Sequence, residues 1–175
     1  MNDIEKAMRG DIEAFGRVIQ EYKAKFYKTA ILVLKNEQDA YDAIQETLIS
    51  IYNNISKLNN PEAFGGWSKR ILMNKCYDII QKNKKVVDIY EKAERNFDEI
   101  IEDKYDCEDE LVGILDKLEK DLKLVAIFYY YDELPINQIS QVLNIPEGTV
   151  KSRLSRARQK LYDILTAEKG DGTNG

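Results

Sequence analysis

Apolar residues recur at steps of three and four along most of the chain, which is the spacing of one face of an amphipathic helix. Between residues 11 and 34 that face consists of Ile12, Phe15, Ile19, Tyr22, Phe26, Ala30 and Val33. After the polar connection "KNEQD", a second run consists of Ala40, Ile44, Leu48, Ile51 and Ile55. No strand-like alternation competes, so the pattern predicts an all-α protein.

A third helix is predicted to begin near Pro61 and to end at about Lys84. The stretch "NNPEAF" supplies an asparagine cap, a proline for the first turn and an early glutamate. The apolar positions of this helix are Phe64, Trp67, Ile71 and Ile79. The three helices together indicate an N-terminal helical domain over residues 1–85.

Four further helices are predicted in the C-terminal third of the chain. The first two cover residues 111–117 and 119–131, and Pro135 ends the second because it disfavours helix at the residue before it. "PINQISQVL" is a short third helix, and the fourth runs from Thr149 to Leu165. The residues predicted to face inward are Leu122, Val125, Tyr129, Ile136, Ile139, Leu143, Val150, Leu154, Leu161 and Leu165.

The tight turn "NIPEG" separates the last two of these helices. Asn144 and Gly148 suit the special backbone conformations of such a turn. A short helix, a tight turn and a second helix with many cations match helix-turn-helix geometry, in which the second helix enters the major groove of DNA.

Composition changes sharply between the two helical regions. Residues 86–110 contain eleven acidic residues and three basic ones. The segment 86–108 is therefore predicted to be an acidic, flexible linker with some helical character, between the N-terminal domain and a C-terminal domain at 109–167. The glycine-containing tail, 168–175, is predicted to be disordered.

Composition also restricts the class of protein. The chain has 43% apolar residues, no histidine and only two cysteines, so a structural zinc site is not expected and no cofactor or metal is predicted. The absence of histidine counts against an enzyme. A charged N-terminal stretch and the lack of an apolar run of about 20 residues predict a soluble cytoplasmic protein.

Five cations stand on the last predicted helix of a chain whose net charge is −5. Within residues 151–160, none of these cations has an acidic residue four positions before or after it. The sequence therefore shows no series of ion pairs along this helix. A cationic face is often simply solvated, but the turn before it favours DNA binding. Thr149 lies near the helix start, where its hydroxyl and free backbone N–H groups can hold a phosphate.

Three stretches resemble the extracytoplasmic-function (ECF) sigma factors of bacterial RNA polymerase. "INQISQVLNIPEGTVKSRLSRARQKL" resembles region 4, "DAYDAIQETLISIY" resembles region 2.2, and "AFGGWSKRILMNKCYDIIQKNKK" resembles regions 2.3 and 2.4. The resemblance covers residues 1–85 and 109–165, with the acidic segment where the family has a variable linker. It implies two helical domains that bind core polymerase and a two-part promoter.

The resemblance implies a polymerase-binding face on the second helix. Acidic residues at steps of three and four share one side of a helix and suit a basic partner; in the family this segment binds the clamp helices of the β′ subunit. The implied residues are Asp39, Asp42, Gln45 and Glu46. An ordinary exposed helix face is the alternative interpretation of the same pattern.

Aromatic and basic residues on the third helix imply recognition and melting of the −10 element. Aromatic rings can stack on unpaired bases while cations neutralise phosphates, and the loop "SKLNNPE" matches the family's loop for a flipped base. The implied residues are Asn59, Asn60, Phe64, Trp67, Lys69, Arg70, Asn74, Lys75 and Asp78. For Trp67, plain core packing remains an equal alternative, and Phe64 and Ile71 could share that core.

The last helix is implied to bind the −35 element. By family position, Lys151, Ser152, Ser155 and Arg156 face bases, while Thr149, Arg153 and Arg158 hold phosphates. An arginine bound bidentately to guanine contributes about 1–3 kcal/mol of discrimination. The resemblance further implies contact with the polymerase β flap, promoter DNA in duplex and melted form, a membrane-associated anti-sigma factor, and a free protein that is monomeric.

Two other classes remain open from the sequence. One is a helix-turn-helix regulator that binds duplex DNA by itself, usually as a dimer. The other is a helical interaction protein, such as an inhibitor of a sigma factor, which does not account for "GTVKSRLSRARQKL".

Overall fold

The computed structural model describes residues 1–93 and 110–170, which fall into two compact units divided between Tyr105 and Asp106. Throughout these described ranges the secondary structure is helical and no strand is present, which confirms the all-α prediction. Most of the predicted linker, from residue 94 to 108, and the tail residues 171–175 lie outside the described residues.

The first unit contains four α-helices and two short 3₁₀ turns in its described part. The helices are α1 (Asp3–Met8), α2 (Ile12–Leu34), α3 (Glu37–Asn54) and α4 (Phe64–Ala93), and the turns Ile55–Lys57 and Pro61–Ala63 connect α3 to α4. The described part of the second unit contains α5 (Glu110–Leu115), α6 (Lys120–Ala126), a π-helical turn (Ile127–Tyr131), α7 (Ile136–Leu143) and α8 (Glu147–Gly170).

Side-chain caps fix where the first three helices begin. Asn2 forms a reciprocal capping box with Glu5 at α1. The side chains of Asp11 and Asn36 accept hydrogen bonds from backbone N–H groups at the starts of α2 and α3. Each cap satisfies a donor that the first helical turn leaves without a backbone partner.

The core of the first unit lies among α2, α3 and α4. Its fully buried residues include Val18, Phe26, Ala40, Ile51, Phe64, Leu72 and Met73. The predicted inner face of α2 is wrong at its start, since Ile12 is 68% exposed while Ala14 and Val18 are buried. The reason is tertiary: α1 packs on α2 with Ala7 buried, and the start of α2 buries the side that carries Ala14 and Val18.

Helix α4 is longer than predicted. It continues past Lys84 to Ala93, so the first eight residues assigned to the linker are helical. No glycine or proline occurs between Trp67 and Val112 to end a helix. The prediction allowed some helical character in the linker, and the structure shows that its first eight residues continue α4.

The core of the second unit is formed where α6 and α7 pack on α8. Its fully buried residues include Val125, Phe128, Ile139, Val150, Leu154 and Ala157. Leu165, predicted to face inward, is 43% exposed. Helix α8 itself extends to Gly170, so the predicted tail is helical at residues 168–170.

The turn between α7 and α8 depends on one left-handed residue. Asn144 has φ 52° and ψ 48°, and the N–H of Ile145 donates to the Ser140 carbonyl at 3.1 Å. The Ser140 hydroxyl donates to the Ile145 carbonyl at 2.6 Å, which closes the turn from the other side. The prediction for Asn144 is confirmed, whereas Gly148 lies inside the first turn of α8 and has no positive φ.

Asn144→Ala should lower the free energy of unfolding of the second unit by about 1 kcal/mol, because alanine tolerates left-handed backbone less well than asparagine. Asn144→Gly should cause no such loss. Denaturant titration followed by circular dichroism measures both, with Gln141→Ala on the exposed side of α7 as control. Equal losses for Asn144→Ala and Gln141→Ala would show that the backbone at residue 144 carries no special constraint.

Candidate functional site

The predicted acidic residues of α3 border an open groove of about 660 Å³ between α3 and α4. Asp42, Gln45 and Glu46 are exposed, and Asp39 is half-buried. The Gln38 side-chain amide donates to Asp42 at 3.2 Å. The structure therefore brings the four predicted polymerase-binding residues together on one surface.

The opposite wall of this groove belongs to α4. Lys75 Nζ lies 3.8 Å from Glu46 Oε2, and the Asn83 side-chain amide donates to Asp39 Oδ2 at 2.9 Å. Asp78, predicted to contact bases, borders the same groove as an exposed carboxylate. The acidic residues of α3 were assigned to polymerase and Asp78 was assigned to DNA, yet they line the same groove.

A second groove, of about 550 Å³, lies between the end of α3, the connecting turns and the start of α4. Its lining residues are Ser50, Asn54, Lys57, Leu58, Asn59, Asn60, Ala63, Trp67 and Ile71. Trp67 is half-buried and forms part of the wall. Asn59 is exposed at the rim, and the Asn60 side chain accepts a hydrogen bond from the Glu62 N–H at 2.9 Å.

Phe64 does not join this groove. Its ring is fully buried and packs edge-on against Tyr22, with ring centroids 5.1 Å apart. Trp67 contacts the buried Phe64 ring, at 6.0 Å between centroids, and also lines the groove. The prediction that Phe64 contacts DNA is wrong because no surface of the ring is available, and Trp67 combines packing with exposure.

The polar residues of α4 divide between two sides of the helix. Arg70 and Asn74 follow Trp67 by three and seven positions, which places them on its side of the helix. Lys69 follows Trp67 by two positions and therefore lies about 200° around the helix. Lys69 therefore lies on a different side of α4 from Trp67, and its role at the −10 element stays a prediction.

The exposed face of α8 carries all four residues predicted to contact bases. Lys151, Ser152, Ser155 and Arg156 are all exposed, while Val150, Leu154 and Ala157 are buried against the rest of the unit. Gln159 is exposed on the same face, and the prediction omitted it. Its spacing of three and seven residues from Arg156 and Ser152 was the available sequence signal.

Three of the five α8 cations have partners in or next to α6 and the π-helical turn. Arg153 lies 3.1 Å from the Asp121 carboxylate, Lys160 pairs with Glu119, and Arg158 donates to the Tyr130 hydroxyl at 3.4 Å. Spacing along α8 does not reveal these partners, because they lie on other elements of the unit. The hydrogen bond from Lys160 lowers the pKa of Glu119, and the charge of Arg156 contributes in the same direction.

The start of α8 differs from the expected phosphate site at Thr149. The Thr149 N–H donates to the Pro146 carbonyl at 2.9 Å, so this amide is already satisfied. The residue is half-buried, and its carbonyl accepts a hydrogen bond from the Ser152 hydroxyl at 3.0 Å. Of the Thr149 groups predicted to hold a phosphate, the side-chain hydroxyl remains as a donor.

No group of three or more histidine, cysteine, aspartate or glutamate residues is placed to hold a metal ion within residues 1–93 and 110–170. In the same ranges, no helix has the length and apolar character required to cross a membrane.

Comparisons with known proteins find a matching family model for each of the two units. The family model described as Sigma-70 region 2 matches residues 18–86, and the model for Sigma-70, region 4 matches residues 108–161. The ECF RNA polymerase sigma factor SigW of Bacillus subtilis is 33% identical over 93% of this chain and 94% of its own length. RNA polymerase sigma factor SigV of the same organism is 29% identical over 86% of this chain and 90% of its own length.

Two solved structures share the fold. CnrH in complex with the cytosolic domain of CnrY has a TM-score of 0.59 and 20% identity, with 94% of this chain and 96% of that chain covered. The sigma factor RpoE in complex with the anti-sigma factor NepR, from Bartonella quintana, has a TM-score of 0.61 and 21% identity, with 89% and 98% covered. This chain belongs to the ECF sigma factors of the sigma-70 family, which direct transcription initiation.

Proposed function

We propose that the first unit binds core RNA polymerase and the −10 element, and that the second unit binds the −35 element. The domains would be residues 1–85 and 109–167, joined by the acidic segment 86–108, with the helical part of that segment belonging to α4. The observation that carries the proposal is the exposed polar face of α8, which directly follows a helix-turn-helix turn and lies opposite a fully buried apolar face.

The α3 face is the proposed docking surface for the basic clamp helices of the β′ subunit. The groove beside it is bordered by Asp39, Asp42, Glu46 and Asp78, and by only two lysines. A basic partner helix would gain attractive charge interactions there and would be steered toward the surface before contact. Gln45 adds an exposed amide that can donate and accept hydrogen bonds.

The groove at the start of α4 is the proposed site for melted −10 DNA. Asn59 offers an exposed side-chain amide at the rim and Trp67 offers part of an aromatic surface, while Arg70 lies on the same side of α4. An extruded base would stack on Trp67 and the backbone would meet the cation. Asn74 and Lys75 continue this surface toward the α3 groove.

On α8, the proposed base contacts are Lys151, Ser152, Ser155 and Arg156. Arg153 and Arg158, with the Thr149 hydroxyl, are the proposed phosphate contacts. Arg156 has the freedom to bind guanine bidentately, since its side chain is exposed and its described contact is a 3.5 Å approach to the Ser152 carbonyl. The second unit would also contact the β flap of polymerase.

An anti-sigma factor is the proposed regulator. Two proteins with this fold, CnrH and RpoE, are known in complexes with CnrY and with the anti-sigma factor NepR. A membrane-associated inhibitor would hold this protein until a signal releases it. The free protein would be a monomer. The chain itself would perform no catalysis, since the polymerase supplies the reaction.

Binding to purified bacterial core polymerase tests the proposal. Gel filtration should show a one-to-one complex, and a housekeeping sigma factor should displace the chain. Absence of a complex, together with tight binding of duplex DNA by the chain alone, would instead favour an autonomous regulator.

Trp67→Ala should slow promoter opening by about fivefold to tenfold, because stacking of a base on an aromatic ring contributes about 1–3 kcal/mol and only part of this ring is exposed. Fluorescence of a base analogue in the −10 element measures opening by the holoenzyme. Tyr77→Ala is the matched control, since Tyr77 is a half-buried aromatic residue of α4 outside the groove. Equal slowing by both variants would assign Trp67 to packing alone.

A further inference from the structure

Two acidic residues of the second unit pair with cations at the edge of α8. Asp121 Oδ2 lies 3.1 Å from Arg153 Nη2, and Glu119 pairs with Lys160. Glu119 immediately precedes α6 and Asp121 lies in its first turn, so both acids come from outside the helix that carries the cations. The pairs are therefore tertiary contacts within this unit.

The pairs contribute little to holding the unit together. The side chains of Glu119 and Asp121 are 72% and 67% exposed, and ion pairs in water-accessible positions add little stability. The attraction between α6 and α8 comes from buried apolar residues such as Val125, Val150 and Leu154. The Glu119 side chain also makes no capping hydrogen bond at the start of α6.

The position of the two acids has a larger consequence for anions that approach α8. Arg153, Arg156 and Lys160 are spaced by three and four residues, so they share one edge of the helix. Arginine and lysine bind carboxylates and phosphates through the same donors. The carboxylates of Glu119 and Asp121 stand where they engage those donors before any DNA is present.

We propose that Glu119 and Asp121 act as internal competitors of DNA phosphates, which occupy Lys160 and Arg153 while the second unit is off DNA. The inference rests on the proposed role of α8 in duplex binding. Binding of DNA must then exchange two carboxylates for phosphates. The exchange weakens binding to every duplex alike, and it leaves discrimination by the exposed Arg156 intact.

Duplex binding by a variant with Glu119→Gln and Asp121→Asn tests this competition. The substitutions keep side-chain shape and remove both negative charges. The full-length chain is titrated with a fluorescent random-sequence duplex of about 25 base pairs, at salt concentrations from about 50 to 200 mM. The variant should bind about tenfold more tightly, and its slope of log affinity against log salt should be steeper by about two.

A matched control separates this effect from net charge. Asp116→Asn with Glu133→Gln makes the same charge change in the same unit, and the described ion pair of Asp116 is with Lys123 of α6. This control should bind within about twofold of the unmodified chain and keep its slope. Circular dichroism checks that both variants are folded.

Two outcomes would overturn the competition. Equal gains in the variant and the control would assign the effect to net charge, and weaker binding by the variant would show that the carboxylates orient the cations. A further variant, Lys151→Ala with Arg156→Ala, removes two α8 cations outside these ion pairs. If it binds the duplex as well as the unmodified chain does, the assignment of α8 to DNA fails, and this failure is distinguishable from a failure of the competition.

Discussion

Replacing both Asp42 and Glu46 by lysine should weaken binding to core RNA polymerase by about 100-fold or more, close to 3 kcal/mol. The reversal turns an attractive surface into one that repels basic clamp helices. It also places a new cation at residue 46 beside Lys75, which lies 3.8 Å from the Glu46 carboxylate in the native protein. The loss should be measured by fluorescence titration of polymerase with labelled protein.

The matched control reverses two exposed acids of α2, Glu13→Lys with Glu21→Lys, and so makes the same change in net charge away from the α3 groove. It should bind polymerase within a few-fold of the unmodified chain. Glu46→Gln alone should cause a smaller loss, because it removes attraction without adding repulsion. A double-lysine variant that still binds tightly would move the docking surface away from α3.

Arg156→Ala should lower transcription from the cognate promoter by about fivefold to 150-fold, corresponding to about 1–3 kcal/mol for one bidentate contact with guanine. Preference at one position of the −35 element should relax. Binding to core polymerase should be retained, since Arg156 is a proposed DNA contact and the variant leaves the clamp contact proposed for the first unit untouched. Transcription from a library of promoters with randomised −35 elements measures both effects.

Lys160→Ala is the control for Arg156. It removes the same charge from the same edge of α8, but Lys160 lies one turn farther from the helix start and is paired with Glu119. It should leave base preference unchanged. If Arg156→Ala lowers transcription equally at all sequences, the residue contacts phosphates and not a base. If it also abolishes polymerase binding, the proposed division between the two units is wrong.

The sequence was most informative where a local rule determines the structure. Asn144 was predicted to suit the turn before α8 and is left-handed, because asparagine tolerates that conformation better than most residues do. The predicted connection "KNEQD" was too long, since α3 already begins at Glu37 after the Asn36 cap. The α3 acids share a surface because spacings of three and four place side chains together on any helix.

Local rules failed where a partner helix decides the outcome. Phe64 and Trp67 are both aromatic residues in the first turn of α4, and the sequence left both between DNA contact and core packing. Phe64 is fully buried against Tyr22 of α2, whereas Trp67 lines a groove. Helix α4 likewise continues into a segment whose acidic composition indicated a linker.

By itself, the sequence determined an all-α chain with a helix-turn-helix and the family to which it belongs, since periodicity, turn chemistry and motifs are local properties. Only the tertiary structure decided which cations of α8 are already paired and which acids of α3 meet α4. Arg153 and Asp121 are separated by 31 intervening residues, and Glu46 and Lys75 by 28. Contacts of that kind depend on how helices pack, and spacing along one helix does not reveal them.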